Sequence, residues 1–195
     1  MSTTRTLTLV DVAFPRARAG TDALLVVGAS LVTALAAQIA VPLPWTPVPI
    51  TGQTFAVVLS GAVLGARRGS LAQLVYLAEG AAGLPVFAGG AAGLVKLLGP
   101  TGGYLLAFPI AAGLVGALCE RGWDRRYLTM LLAMLLGSAV IFALGLVMLA
   151  RFVPGAALLA QGLLPFVPGD LIKSALAAAA FPATWRWVGR REPGA

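Results

Sequence analysis

Long apolar runs, separated by short segments rich in charge, glycine or proline, make up most of the 195-residue chain. A helix needs about 20 apolar residues to cross a bilayer, and about 17–25 are tolerated. The pattern therefore predicts six transmembrane helices in a single membrane domain of residues 23–188. A segment of residues 1–22 precedes this domain, and a tail of residues 189–195 follows it. The six runs cover residues 23–43, 54–66, 69–83, 101–118, 128–150 and 169–188.

The second and third runs are short enough to form a re-entrant hairpin instead of two crossings. Arg67 and Arg68 stand where these two runs meet. A charge at the bilayer centre costs at least ~2.5 kcal/mol. Two full crossings place both arginines among the lipid headgroups, so we predict two separate helices here.

Composition agrees with a membrane location. Hydrophobic residues make up 59% of the chain and charged residues 11%, whereas soluble domains carry about 25% charged residues. The mean hydropathy is +0.92. The chain has no histidine and one cysteine, and it has no phosphate-binding loop of the G-x-x-x-x-G-K-[ST] type. We therefore expect an all-α integral membrane protein that is not an enzyme and has no metal site and no cofactor.

The net charge of +7 could indicate nucleic-acid binding, but the basic residues lie between the apolar runs. With the N-terminus in the cytoplasm, eleven basic residues lie on the inner side and two, Lys96 and Arg151, on the outer side. This asymmetry is typical of the positive-inside rule. It predicts that both termini are cytoplasmic and that nucleic acid is not a partner. The inner residues are Arg5, Arg16, Arg18, Arg67, Arg68, Arg121, Arg125, Arg126, Arg186, Arg190 and Arg191.

The three outer loops, at about residues 41–54, 83–103 and 151–168, are apolar and rich in turn-forming residues. The first contains Pro42, Pro44, Pro47 and Pro49, which fix the backbone and make the loop stiff and extended. We expect the first loop to act as a lid and all three to roof a cavity that opens outward. The alternative is that they are ordinary short connections.

Three charged side chains lie inside the apolar runs, where a charge marks a functional site by default. Glu79 is near the outer end of the third run, and Asp170 and Lys173 begin the sixth. Helical positions i and i+3 share a face, so Asp170 and Lys173 can converge on one small ligand. A structural alternative remains, in which Asp170 stabilises a helix N-terminus, Lys173 neutralises it, and Glu79 faces the headgroups.

Uncharged residues near the same depth complete a candidate pocket. A small-molecule site usually combines aromatic walls with a few directed polar groups. Tyr76 and Gln53 could supply polar groups, and Trp45, Phe87 and Tyr104 could supply walls. Trp45 and Tyr104 are also typical of the aromatic belt at a membrane interface.

Small residues recur at four-residue spacing along the first run, and such spacing lets another helix approach closely. We expect this stripe to be a docking face, either within the bundle or for a partner protein. Its register stays open. The candidate positions are Ala29, Thr33 and Ala37, with Ser30 and Ala34 or Ala36 and Ala40 as the other registers.

Three segments in combination carry a family resemblance: TPVPITGQT, GLPVFAGG and the D-x-x-K of PGDLIKSALA. Across about residues 25–185 the chain resembles the BioY family. Its members are the biotin-specific substrate-capture (S) components of energy-coupling factor (ECF) transporters in prokaryotic cell membranes. The resemblance implies a six-helix S-component bundle that holds biotin near the outer face under the first loop. It also implies a membrane coupling subunit and two ATP-binding cassette ATPases as partners.

The resemblance implies that Asp170 and Lys173 bind the head group of biotin. An asparagine is expected near Glu79, so this residue departs from the family pattern. Lys96 is the cation available for the carboxylate of the biotin tail. Three other functions stay open: an S component for another vitamin, a membrane enzyme that uses Asp170 and Lys173 as acid and base, and a structural subunit without a ligand.

Overall fold

The computed structural model describes residues 7–15 and 19–189. The expectations placed on residues 1–6, 16–18 and 190–195 lie outside the described residues. Five of the arginines used to predict orientation belong to this group: Arg5, Arg16, Arg18, Arg190 and Arg191.

The described chain is mostly helical, and six of its helices coincide with the six apolar runs. Besides these six helices, the described chain contains three short α-helices, two single-turn 3-10 helices at Ala88–Gly90 and Trp123–Arg125, and one pair of two-residue strands. In chain order the helices and strands are α1 (Leu9–Ala13), α2 (Ala19–Gln38), β1 (Ala40–Val41), β2 (Ile50–Thr51), α3 (Gln53–Leu64), α4 (Ala66–Ala81), α5 (Leu94–Leu98), α6 (Gly102–Cys119), α7 (Tyr127–Leu149), α8 (Gly155–Gly162) and α9 (Val167–Gly189).

Four helical stretches of the described chain are long and apolar enough to cross a membrane. They are Ala19–Gln38, Gly102–Cys119, Tyr127–Leu149 and Gly155–Val188, the last combining α8 with α9. Helix α3 has 12 residues and α4 has 16, which correspond to lengths of about 18 and 24 Å. The prediction of a helical membrane fold is therefore confirmed, and the number of crossings stays a prediction.

Helix α6 lies at the centre of the bundle, where it packs against α3, α4 and α7. Small residues permit this packing: a Cβ on Gly61 would lie 2.2 Å from the Ala112 carbonyl oxygen, and one on Gly116 would lie 2.4 Å from the Ala66 nitrogen. Close backbone approach at small residues is the usual packing mode of helices in lipid. Large apolar side chains point outward instead, including Leu24, Leu35, Ile39, Leu128 and Val147.

A single glycine joins α3 to α4. Gly65 has a φ of 84°, a conformation that costs a residue with a Cβ but not glycine. The side chain of Glu120, at the end of α6, accepts a hydrogen bond from the Ala66 nitrogen at 2.9 Å and so caps the start of α4. The two short helices are therefore separate elements with a tight reversal between them.

The described part of the N-terminal segment contains a short helix and the start of α2. Thr8 and Asp11 form a capping box at the start of α1, and α2 begins at Ala19, four residues before the predicted start. Arg68 on α4 pairs with Asp11 at 2.7 Å and with Asp22 at 2.9 Å. This arginine therefore connects α1, α2 and α4, while its neighbour Arg67 is exposed.

The predicted outer loops contain short strands and helices, which their many turn-forming residues did not indicate. The base of the first loop is closed by β1 and β2, in which Ala40 pairs with Thr51 and Val41 with Ile50. The second loop contains α5, and the third contains α8. Describing the third loop as turn-rich was wrong for residues 155–162, because the AALLAQ sequence between its two glycines consists largely of strong helix formers.

Candidate functional site

A cavity of about 210 Å³ lies beneath the first outer loop, beside the first turns of α3, α6 and α9. Six of the nine binding residues expected from the sequence line it: Gln53, Phe87, Lys96, Tyr104, Asp170 and Lys173. The structure places the other three, Trp45, Tyr76 and Glu79, outside the cavity wall.

Asp170 and Lys173 reach the cavity from the first two turns of α9. Asp170 Oδ1 accepts a hydrogen bond from Ser138 Oγ on α7 at 2.7 Å. Lys173 Nζ donates to the Thr51 carbonyl oxygen on β2 at 3.1 Å. Among the ion pairs of the described residues, none joins Asp170 to Lys173. Each charge is therefore held by a different neighbour, and each keeps hydrogen-bonding capacity that these bonds do not use.

A chain of hydrogen bonds connects the lid to the bundle behind the cavity wall. The Thr51 hydroxyl donates to Gln53 Oε1 at 3.1 Å, and Gln53 Nε2 donates to Tyr76 Oη at 2.5 Å. The Tyr76 hydroxyl then donates to the Val86 carbonyl oxygen at 3.0 Å. Tyr76 is fully buried, so the expectation that it lines the pocket is corrected: it orients Gln53 from behind.

Aromatic rings form much of the cavity wall. Phe87 is held edge-on to Tyr76 with ring centroids 5.6 Å apart, and the Tyr104 hydroxyl donates to the Gly162 carbonyl oxygen at 2.7 Å. Sequence reasoning missed three aromatic wall residues: Phe108, Phe142 and Phe166. The sequence carried no signal for them, since a phenylalanine fits an apolar segment whichever way it faces.

Trp45 does not form a wall of the cavity. Its side chain is 58% exposed at the far part of the first loop, whereas Pro47, Val48 and Pro49 of the same loop line the cavity. The rigid proline backbone turns Val48 inward, and Val48 is only 6% exposed. The interfacial role that the sequence left open for Trp45 agrees with this exposure.

Glu79 faces α2 and not the cavity. Ser30 Oγ donates to Glu79 Oε1 at 3.1 Å, and Glu79 Oε2 is buried with no hydrogen-bond partner among the described residues. A helix turns about 100° per residue, so Glu79 is rotated about 60° from the inward-facing Tyr76. Of the three charged groups expected at one site, Asp170 and Lys173 line the cavity and Glu79 does not.

Two further contacts complete the rim. Thr46 Oγ1 in the first loop donates to the Gln161 carbonyl oxygen at the end of α8, with a distance of 2.8 Å. Lys96 on α5 is exposed to solvent while lining the cavity. At the rim, the first loop is therefore hydrogen-bonded to α8, and the Lys96 ammonium is open to solvent.

The small-residue stripe on α2 faces partly into the bundle. Thr33 and Ala37 are fully buried, and the Thr33 hydroxyl accepts a hydrogen bond from Gln73 Nε2 on α4 at 3.2 Å. These two positions pack inside the chain, which agrees with the alternative of a docking face within the bundle. Ala29, Ala36 and Ala40 are half-buried.

Comparison with known proteins decides the family. The BioY family profile matches residues 7–190. The chain belongs to the BioY family. A relative from Pyrococcus horikoshii, named probable biotin transporter BioY, is 46% identical over 145 residues, which cover 74% of this chain and 84% of the relative. The biotin transporter BioY of Thermotoga maritima is 41% identical over 139 residues, with 71% and 81% covered.

A solved structure shares the fold of this BioY family member. The S-component for biotin from an ECF-type ABC transporter matches with a TM-score of 0.76 at 25% sequence identity. The match covers 90% of this chain and 93% of the solved chain. The family resemblance drawn from three short segments is confirmed, and the relatives are transporters and not enzymes.

Proposed function

We propose that this chain is the high-affinity biotin-capturing S component of an ECF-type vitamin uptake transporter, located in the cell membrane of a prokaryote. The observation that carries the proposal is the placement of Asp170 and Lys173 in one cavity wall, each held by a different neighbour. The two side chains offer a carboxylate acceptor and an ammonium donor within one turn of α9.

The chemistry of this couple complements the ureido ring of biotin, which has two N–H donors and one carbonyl acceptor. Asp170 accepts one N–H, and Lys173 donates to the carbonyl. Hydrogen bonds with one charged partner are about twice as strong as neutral ones. Since Glu79 faces α2, the second N–H needs another acceptor, and the hydroxyls of Thr54 and Thr101 line the cavity.

The remainder of the ligand fits the other features of the site. Phe108, Phe142 and Phe166 provide an apolar wall for the fused sulfur ring. The exposed ammonium of Lys96 at the rim supplies the cation for the tail carboxylate. In this arrangement the head group lies deepest and the tail points toward the outside.

We propose six membrane crossings with both termini in the cytoplasm. Support comes from opposite ends of the bundle: the cavity and Lys96 lie at one end, and Arg67, Arg121 and Arg126 lie at the other, each exposed. This distribution follows the positive-inside rule. The short α3 and α4 fit two crossings because the tight Gly65 reversal places their shared end beside the exposed Arg67.

The partners of the proposed transporter are a membrane coupling subunit and two ATP-binding cassette ATPases. The chain has no phosphate-binding loop of its own, so uphill uptake needs ATPase subunits. Ala29 and Ala36 on α2 and Ala40 on β1 remain candidate docking contacts, because Thr33 and Ala37 are buried inside the chain.

Isothermal titration of the detergent-purified protein with biotin tests the proposal. We expect one-to-one binding, and we expect Asp170→Asn and Lys173→Ala each to weaken it at least about tenfold, because a charge-assisted hydrogen bond is worth about 1.5–3 kcal/mol. Glu79→Gln is the matched control and should keep the wild-type affinity. Thermal unfolding curves confirm that each variant is folded.

The outcomes separate the competing functions. Wild-type affinity in both the Asp170 and the Lys173 variant would contradict the site. Heat released with another vitamin, but not with biotin, would identify an S component of different specificity. A folded protein that binds no vitamin would support the structural subunit.

A further inference from the structure

Ser138 is the polar side chain that α7 presents to Asp170. Helix α7 spans 23 residues, most of them apolar, and Ser138 is 4% exposed. Its hydroxyl donates to Asp170 Oδ1 at 2.7 Å, but Ser138 does not belong to the cavity lining. A residue that reaches the site only through Asp170 is in a position to set the geometry of that carboxylate.

The backbone around Ser138 is held tightly. A Cβ on the preceding Gly137 would lie 2.6 Å from Val115 Cγ2 and 2.9 Å from Val58 Cγ1. The absence of that Cβ brings α7 close to α3 and α6, and packed interiors leave little room for small displacements. The Ser138 hydroxyl is therefore a fixed donor that restricts rotation of the Asp170 carboxylate.

This bond also makes the two carboxylate oxygens of Asp170 different from each other. Oδ1 already accepts a hydrogen bond from Ser138, which leaves Oδ2 with its full capacity to accept a ligand donor. A carboxylate rotating freely could present either oxygen and would lose that freedom on binding. Restricting a side chain before the ligand arrives reduces the entropic cost of association.

We propose that Ser138 is a positioning residue for ligand capture, which fixes Asp170 so that one carboxylate oxygen accepts one N–H of the ligand head group. The inference rests on the proposed function, since it names biotin as the ligand. It assigns to Ser138 a role in affinity without contact between Ser138 and the ligand.

The test is a double-mutant cycle measured by biotin titration on the full-length protein in detergent. Ser138→Ala should weaken biotin binding by up to about tenfold, because the Asp170 carboxylate must then be ordered when the ligand binds. In an Asp170→Ala background the same change should weaken binding less than about twofold. Contacting residues couple in such cycles, and independent ones add.

Ser60→Ala is the matched control, because Ser60 is also a buried helix serine, 8% exposed, and bonds to Gln73 and Val57 away from the cavity. It should leave biotin affinity unchanged in both backgrounds. If Ser138→Ala still weakens biotin binding about tenfold in the Asp170→Ala background, Ser138 acts through general packing and the proposal is overturned. Equal affinity of Ser138→Ala and the wild-type protein also overturns it.

The wild-type titration separates this proposal from the proposed function. If the wild-type protein does not bind biotin, the proposed function fails and the positioning role fails with it. If the wild-type protein binds biotin and Asp170→Ala weakens binding, the cycle reports on Ser138 alone.

Discussion

Asp170 and Lys173 were recognisable as single residues because a charge inside an apolar run is costly without a partner. Their partners were not recognisable. Ser138 is a hydroxyl residue in a membrane helix, where such residues are common, and the Thr51 carbonyl belongs to the backbone. Glu79 was selected for the same reason, as a charge inside an apolar run, and yet its side chain faces α2. The rule identifies which residues need partners, whereas the direction of each side chain depends on how the helices rotate in the bundle.

Gly80 on α4 offers a test of the aromatic wall at this scale. A Cβ there would lie 2.1 Å from Phe87 Cζ, so Gly80→Ala must displace the Phe87 ring and change the shape of the cavity wall. Overpacking of this kind costs about 1–3 kcal/mol, and we expect biotin affinity to fall about fivefold or more. Gly28→Ala is the control, because its Cβ would have no neighbour within 4 Å. Equal affinities of the two variants would show that Phe87 does not shape the site.

Among the elements, the first loop shows what a proline pattern can predict and what it cannot. Four prolines indicated a stiff segment, and Pro47 and Pro49 do line the cavity. The hydrogen bonds that hold the first loop to α8 and α9 join residues that are far apart in sequence. Thr46 bonds to Gln161 at a separation of 115 residues, and Thr51 bonds to Lys173 at a separation of 122. Contacts of this range arise from the assembled bundle, so local sequence could not indicate them.

The bond between the lid and α8 should control how long the ligand stays bound. Thr46→Val preserves the shape of the side chain and removes both the donor to Gln161 and the acceptor for the Val48 N–H within the loop. Loss of one hydrogen bond costs about 1 kcal/mol, so the dissociation rate of radiolabelled biotin in a chase with unlabelled biotin should rise about fivefold. Thr184→Val removes an exposed hydroxyl that donates to the Ala180 carbonyl oxygen within α9 at 3.0 Å and should have no effect. A Thr46→Val rate equal to that of the wild-type protein would show that the loop is not held at this point.

At the scale of the whole molecule, the two ends of the bundle have different chemistry. One end holds the cavity, and the other holds ion pairs and a cation–π contact. Arg68 joins three helices, and the Arg125 guanidinium lies 3.3 Å from the centre of the Trp185 ring. The sequence predicted the six apolar runs well, because hydropathy follows directly from composition. From the sequence, the arginines indicated only the orientation of the chain in the membrane. Their contacts with other side chains became visible only in the assembled fold.

The ion pair between Asp11 and Arg68 should make stability depend on pH at the end opposite the cavity. Burial acts to raise the pKa of Asp11, but hydrogen bonds from Arg68 and Thr8 outweigh it and hold the pKa below the usual value of 3.8. A carboxylate with a lowered pKa in the folded protein stabilises the fold above its unfolded pKa, and this contribution is lost as the pH falls through the folded value.

The thermal midpoint in detergent should therefore fall more steeply below about pH 4 in the wild-type protein than in Asp11→Asn. The expected difference is about 1–2 °C, because a partly exposed pair contributes about 0.5 kcal/mol. Arg68→Gln should flatten the pH profile in the same way, since it removes the guanidinium that lowers the pKa of Asp11. Arg67→Gln changes an exposed neighbour and should keep the wild-type profile. Parallel profiles for the wild-type protein and Asp11→Asn would mean that α1 is not fastened to α4 through this pair in solution.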